Sequence, residues 1–319
     1  MLSDTVVKKT SALLSAMLLM VIAWSFMHLP GSSFQMVTFA ILSATALCNI
    51  SSFDIRLKRC FQMVCAAAIL QFTISITAAY PLIRVAASSI LSFFILLLIP
   101  DKRCAVTVLI AAYLTLFDTA GVIAGINRSM DILCSGSAVL LVTTLGNLSG
   151  TGNSIRQAQP YTWKEALTIS LESAIGFIIA LIIKHEQTYW ILLTALFIHL
   201  STSPDSPLPA LAKRRIAATP LGILLAGLYL AGFVNNNYQM IYIVPLTGTL
   251  GFFLLYLKND YFMFTFLFMF TVTLFSDWML GNYNRFHFAE LIFTRSLATA
   301  IGGILILTGK FFTKADVPS

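Results

Sequence analysis

Charge is what this sequence is short of. Aspartate, glutamate, lysine and arginine make up 10% of its 319 residues, whereas 58% are hydrophobic and the mean hydropathy is +0.87. Soluble domains carry about 25% charged residues, so this chain lacks the solvated surface that a water-soluble fold of its size requires. Paired cysteines are missing too. Cys48, Cys60, Cys65, Cys104 and Cys134 lie within or beside apolar segments, with neither a metal spacing nor a disulfide framework. They are expected as small buried side chains. No GxxxxGK[ST] stretch marks an ATP site, and no HExxH, GxSxG or aspartate array marks a hydrolase or a lipid headgroup transferase. Asp205 is a lone carboxylate in a proline-rich loop. The chain is therefore read as no enzyme, with no cofactor and no metal. Its net charge of +7 sits in short loops, so nucleic acid is not an expected partner and membrane lipid is.

What remains is apolar helix. Segments long enough to cross a bilayer fall at roughly 11–29, 34–52, 60–80, 83–100, 104–122, 130–149, 165–184, 189–203, 215–233, 239–257, 261–279 and 288–309. Barrel strands would be shorter and alternate in polarity. The expected fold class is an all-α integral membrane protein with about twelve transmembrane helices. Cytoplasmic loops collect lysine and arginine. With the N-terminus inside, the inside segments take Lys8, Lys9, Arg56, Lys58, Arg59, Lys102, Arg103, Arg156, Lys164, Lys213, Arg214, Arg215, Lys258, Lys310 and Lys314. The outside loops take only Arg84, Arg128, Lys184 and Arg285. Both termini are thus expected in the cytoplasm. Lys8 and Lys9 before an apolar core also fit a secretory signal, but an internal repeat speaks against removing that segment.

Shifting the chain by about 156 residues overlays its halves. Lys58-Arg59 falls on Arg214-Arg215, Thr115-Leu-Phe-Asp118 on Thr273-Leu-Phe-Ser-Asp277, and Gly125-Ile-Asn-Arg128 on Gly281-Asn-Tyr-Asn-Arg285. Six spans per half make two parallel six-helix repeats, related by an axis along the membrane normal. The expected domains are a first repeat at 1–150, a short cytoplasmic linker at 151–163 and a second repeat at 164–319.

Ionisable residues at membrane depth are costly and usually face a bundle interior. The first half offers only Asp131, near an outer end, and neutral Gln71. The second offers Glu172, about 12 Å into its span, His199, about 15 Å in, and Arg295, about 10 Å in, with Glu290 and His287 nearer the outer face. One reading is a structural salt bridge. The other is a substrate- or proton-handling site of Glu172, His199, Arg295 and Glu290. In that site His199 carries a proton, Glu172 partners it and Arg295 holds an anion. Two stripes share one form, Arg-x-x-Ala-Thr-x-x-Gly, at Arg215, Thr219 and Gly222 and again at Arg295, Thr299 and Gly302. Their threonines and glycines are expected to serve close helix packing. The cluster around Arg215 is expected at the cytoplasmic surface.

These residues resemble the fusaric acid resistance and aromatic acid exporter family of bacterial inner-membrane proteins. The resemblance rests on Tyr189-Trp190 with Thr194, on Arg215 to Gly222 with Ala218 in the first glycine position, and on Arg295 to Gly302. It covers 163–309. It implies export of small organic, aromatic carboxylic acids or toxic compounds from the bacterial inner membrane, together with a periplasmic membrane-fusion adaptor, and it leaves a homo-oligomer open. Ala298 stands where many members carry aspartate. The alternative is a non-transporting scaffold or regulatory subunit of an efflux complex.

Overall fold

The computed structural model describes residues 39–40, 42–43, 46–47, 53–114, 121–145, 160–183, 186–201, 207–233, 243–244, 246–248, 250–251, 254, 260–280 and 288–313. The spans expected at 11–29, most of 34–52 and 239–257, most of the linker 151–163, Asp205, His287 and both termini lie outside them. The longer described elements are helices: α1 (Phe53–Ile76), α2 (Pro81–Leu98), α3 (Lys102–Tyr113), α4 (Val122–Leu145), α5 (Trp163–Ile183), α6 (Trp190–Ser201), α7 (Leu208–Phe233), α8 (Tyr261–Leu280) and α9 (Phe288–Thr313). A 3-10 turn, Glu186–Tyr189, leads into α6.

Local chemistry sets the helix starts. Pro81 occupies the first turn of α2, where its missing N–H costs nothing. Asp101 caps α3, its carboxylate accepting from the backbone N–H of Arg103 at 2.8 Å and of Cys104 at 3.1 Å. Thr162 and Glu165 form a reciprocal capping box at α5: Thr162 N–H donates to Glu165 Oε2 at 2.9 Å and Glu165 N–H to Thr162 Oγ1 at 3.3 Å. Glu165 also takes Lys102 Nζ of α3 at 2.7 Å, and Lys102 lies 4.8 Å from the Tyr161 ring. The starts of α3 and α5 are thereby tied side by side.

Among the described residues, five helices are long and apolar enough to cross a membrane: Asp54–Ile76, Pro81–Leu98, Trp163–Ile183, Leu208–Gly232 and Glu290–Gly309. Their outer faces stay apolar. Leu82 is 80% exposed, Ile182 73% and Phe293 68%, a surface that water would not tolerate and lipid does. The chain is a multi-pass membrane protein.

At the centre lie two helices of only twelve residues, α3 and α6. Cys104 to Tyr113 of α3 and Trp190 to Ile198 of α6 are all buried. The two pack on each other, and α6 is further covered by α5, α7 and α9. Around them α1 packs on α3 and α4, α2 on α5, and α7 on α8 and α9.

Three boundaries differ from the sequence expectation, and each moves a charge. α3 ends at Tyr113 with Leu114 as its C-cap, and Gly121, at φ 104°, precedes α4, which opens at Val122, earlier than the expected 130. Arg128 and Asp131 therefore stand within α4 rather than in or beside an outer loop. Arg84 stands within α2, not in a loop. The helix expected from 215 starts at Leu208, where the Pro207 carbonyl accepts from the N–H groups of Ala210 and Leu211. Arg215 is thus two turns inside α7 and 1% exposed, not at the cytoplasmic surface; its neighbours Lys213 and Arg214 are exposed. Arg56, Arg84 and Arg128 are buried as well, so the expectation of a first half almost free of buried charge is overturned. Hydropathy windows push charges into loops; proline and glycine start signals put these back into helices.

The two glycines that close the repeated motif explain how tightly the helices meet. A Cβ at Gly222 would strike the Phe266 carbonyl of α8, and one at Gly302 would stand 2.5 Å from the Ile191 carbonyl and 2.9 Å from Thr194 Cβ of α6. Because backbone cannot yield as a flexible side chain does, Gly302→Val should destabilise the fold by about 1–3 kcal/mol, read as a lower midpoint in denaturant unfolding of the detergent-solubilised protein.

Candidate functional site

Two features of the sequence reading meet in the fold. Glu172, in the middle of α5, and His199, in the last turn of α6, approach with Nε2 and Oε2 2.7 Å apart. Their side chains are 7% and 11% exposed. Burial at that level disfavours a free charge on either group, and each supplies what the other lacks. A protonated imidazole at this place also faces the C-terminal, negative end of the α6 dipole. The third wall is Gly309 of α9. A Cβ there would collide with Glu172 Oε1, so glycine is what lets the carboxylate turn towards His199. Sequence reading missed Gly309, since nothing local distinguishes it from the other glycines of α9.

Arg295 is not part of this pair. It lies fourteen residues before Gly309 on α9, about 21 Å along the helix. Its Nη1 donates to Thr273 Oγ1 of α8 at 3.2 Å, and its Cζ lies 5.0 Å from the Trp190 ring centre. Tyr189 is close enough to interact with it electrostatically. Glu290, in the first turn of α9, is exposed and also lies apart from the Glu172–His199 pair.

The other copy of the motif repeats this arrangement. Arg215 Nη1 donates to Tyr261 OH of α8 at 3.3 Å, and its Cζ lies 4.6 Å from the Phe197 ring centre. Phe197 and Trp190 are seven residues apart on α6 and hence share a face. In both copies, then, the arginine lies over an α6 aromatic ring and donates to a hydroxyl on α8, while the glycine lets a neighbouring backbone approach. Buried guanidinium over an aromatic face gains a cation–π term of about 2 kcal/mol when desolvated. Thr194 and Thr299, also fully buried, link α6 and α9 with hydroxyl oxygens 3.5 Å apart. The motif residues Trp190, Thr194, Arg215, Thr299 and Gly302 thus lie on or against one short helix, while Gly222, one turn beyond Thr219, packs on α8. The hydroxyl partners Tyr261 and Thr273 escaped the sequence reading, because both lie in a Phe-rich span that reads as uniform core.

Residues 174–309 match the family model described as fusaric acid resistance protein-like. This stretch is fusaric acid resistance protein-like. The match bears out the resemblance carried by the two arginine motifs. His199, Arg215, Glu290 and Arg295 fall inside the fusaric acid resistance protein-like stretch, which ends at Gly309 and begins two residues after Glu172. No curated protein and no solved structure is significantly similar to the chain.

The contact between Glu172 and His199 has a measurable signature. Replacing one partner leaves the other buried and unpaired, which costs more than replacing both. Denaturant unfolding of Glu172→Leu, His199→Leu and the double variant should give a double variant less destabilised than the sum of the singles, by about 0.5–3 kcal/mol.

Proposed function

We propose that the chain is a proton-driven exporter of small organic acids, aromatic carboxylic acids among them, or of toxic compounds, in the bacterial inner membrane. The observation that carries this reading is the buried Glu172–His199 pair. Three protonation states are open to it. With one proton it is neutral overall; with two it carries +1, and with none −1. In a buried setting the charged states are costly unless the surroundings rearrange, so loading or unloading a proton biases the packing of α5 against α6. Two helices extend that bias to the anion side: α6 carries both His199 and Trp190, and α9 carries both Gly309 and Arg295. Displacing α9 against α6 would change the surroundings of the pair and of the Arg295 guanidinium together. Arg295, permanently charged, is the anion holder in this scheme, and Glu290 stands outside the proton step.

Parallel repeats, cytoplasmic termini and a periplasmic membrane-fusion adaptor belong to the same reading. The repeated arginine motif and the family match support it. A non-transporting scaffold would keep the fold and the match but has no use for a titratable pair.

Purified protein in liposomes separates the two. An imposed pH gradient should drive labelled benzoate across the membrane, and His199→Ala and Glu172→Gln should each abolish that movement at unchanged protein content. Undiminished movement in both variants removes the pair from the mechanism; no movement in the wild type favours the scaffold.

A further inference from the structure

Where helical threonines of this fold back-bond, the hydroxyl goes to a carbonyl one turn earlier. Thr73, Thr168, Thr247, Thr271 and Thr294 all do so, at 2.7–2.9 Å. Thr219 of α7 and Thr265 of α8 do not. Both are fully buried, and neither hydroxyl has a hydrogen-bond partner. Beside them is Arg215, 1% exposed, whose Nε is likewise buried and unpartnered. Its bond to Tyr261 and its contact with the Phe197 ring use only one of five guanidinium donors.

These three groups share one seam. Arg215 meets Tyr261, and farther along, Gly222 meets Phe266 and Met269, so α7 and α8 run side by side in the same direction. Thr219 and Thr265 each lie four residues beyond the Arg215–Tyr261 bond and so face the seam at one level. One permanent positive charge and two hydroxyls thus converge where no carboxylate from the described residues answers them. The wall beside them is aromatic. Phe197 and Phe268 pack edge to face at 5.0 Å, and Phe264 lies 5.7 Å from Phe268. Of these rings Phe268 alone is partly exposed, which marks the side from which a flat ligand would insert.

We propose that Arg215, Thr219 and Thr265 form a binding site for the carboxylate of an aromatic acid, with Phe197 and Phe268 against its ring. A guanidinium pairs with a carboxylate through two parallel N–H bonds, and the threonine hydroxyls donate to its remaining lone pairs. Offset or edge contacts with the phenylalanines favour an aromatic body over an aliphatic one. The site rests on the reading of the chain as a carrier of organic acids and adds a second guanidinium to it. Arg215 and Arg295 then mark two stations about 10 Å apart along α6.

Equilibrium dialysis of labelled benzoate against the purified full-length protein tests this, with labelled acetate as the ring-free probe. Wild type should bind benzoate saturably and more tightly than acetate. Thr219→Val with Thr265→Val keeps side-chain shape and removes both hydroxyls. That double variant should bind benzoate about tenfold or more weakly, the scale of a lost hydrogen bond to a charged group, with its unfolding midpoint unchanged or raised. Phe197→Leu should narrow the ratio of benzoate to acetate affinity. Unaltered benzoate affinity in the double threonine variant, or no saturable binding to the wild type, overturns the site. Transport is read separately: wild-type liposomes that move benzoate while the double variant binds it normally keep the exporter and lose the site. Binding that depends on the threonines without any transport keeps the site and loses the exporter.

Discussion

Twelve residues of α-helix reach about 18 Å, well short of the roughly 30 Å hydrocarbon core of a bilayer. A helix of that length at membrane depth leaves orphan N–H and C=O groups at both ends, and lipid cannot satisfy them. Such a helix is stable only when protein covers it. α6 meets this condition on every side, with α3, α5, α7 and α9 around it, and most of the distinctive contacts of the second half follow. Trp190 and Phe197 receive guanidinium groups, Thr194 meets Thr299, Ile191 receives the face of Gly302, and His199 closes on Glu172. The longer helices can present apolar faces to lipid because this short one never has to.

Several of these relations were legible in the sequence. The scarcity of charge announced a membrane protein, and the doubled Arg-x-x-Ala-Thr-x-x-Gly form announced two related seams. Glu172 and His199 stood out because ionisable groups in apolar spans rarely lack a purpose, and the fold places them in contact. Other relations were hidden for physical reasons. Which side chains meet across helices depends on rotation about each axis, and a span such as α8, phenylalanine on nearly every face, carries no periodic signal to fix it. Tyr261 and Thr273 therefore surfaced only with the fold. Arg295 was grouped with His199 on depth alone, yet the parallel run of α6 and α9 sets Arg295 beside Trp190 and Gly309 near His199, at opposite ends of the short helix.

The misplaced arginines show how counting charges can mislead. Arg84 and Arg215 were assigned to loops because a hydropathy window treats any guanidinium as surface. Pro81 opens α2 so that Arg84 falls in its first turn, and the start at Leu208, seven residues earlier than expected, moves Arg215 inside α7. There each finds a ring, Arg84 over Phe177 at 5.8 Å and Arg215 over Phe197. Aromatic faces take over part of the role that water plays for a cation in solution. A bundle this rich in phenylalanine can set buried positive charge against aromatic faces.

The join between α3 and α5 is of another kind. Lys102 and Glu165 keep 37% and 43% of their side-chain surface open to solvent, so their attraction is screened by dissolved ions over a Debye length of about 8 Å at physiological salt. The interior contacts around α6 are shielded from that influence. One edge of the bundle is therefore laced by a bond whose strength is set by the surrounding electrolyte, and the fold carries there a sensitivity to ionic strength that its buried centre does not share.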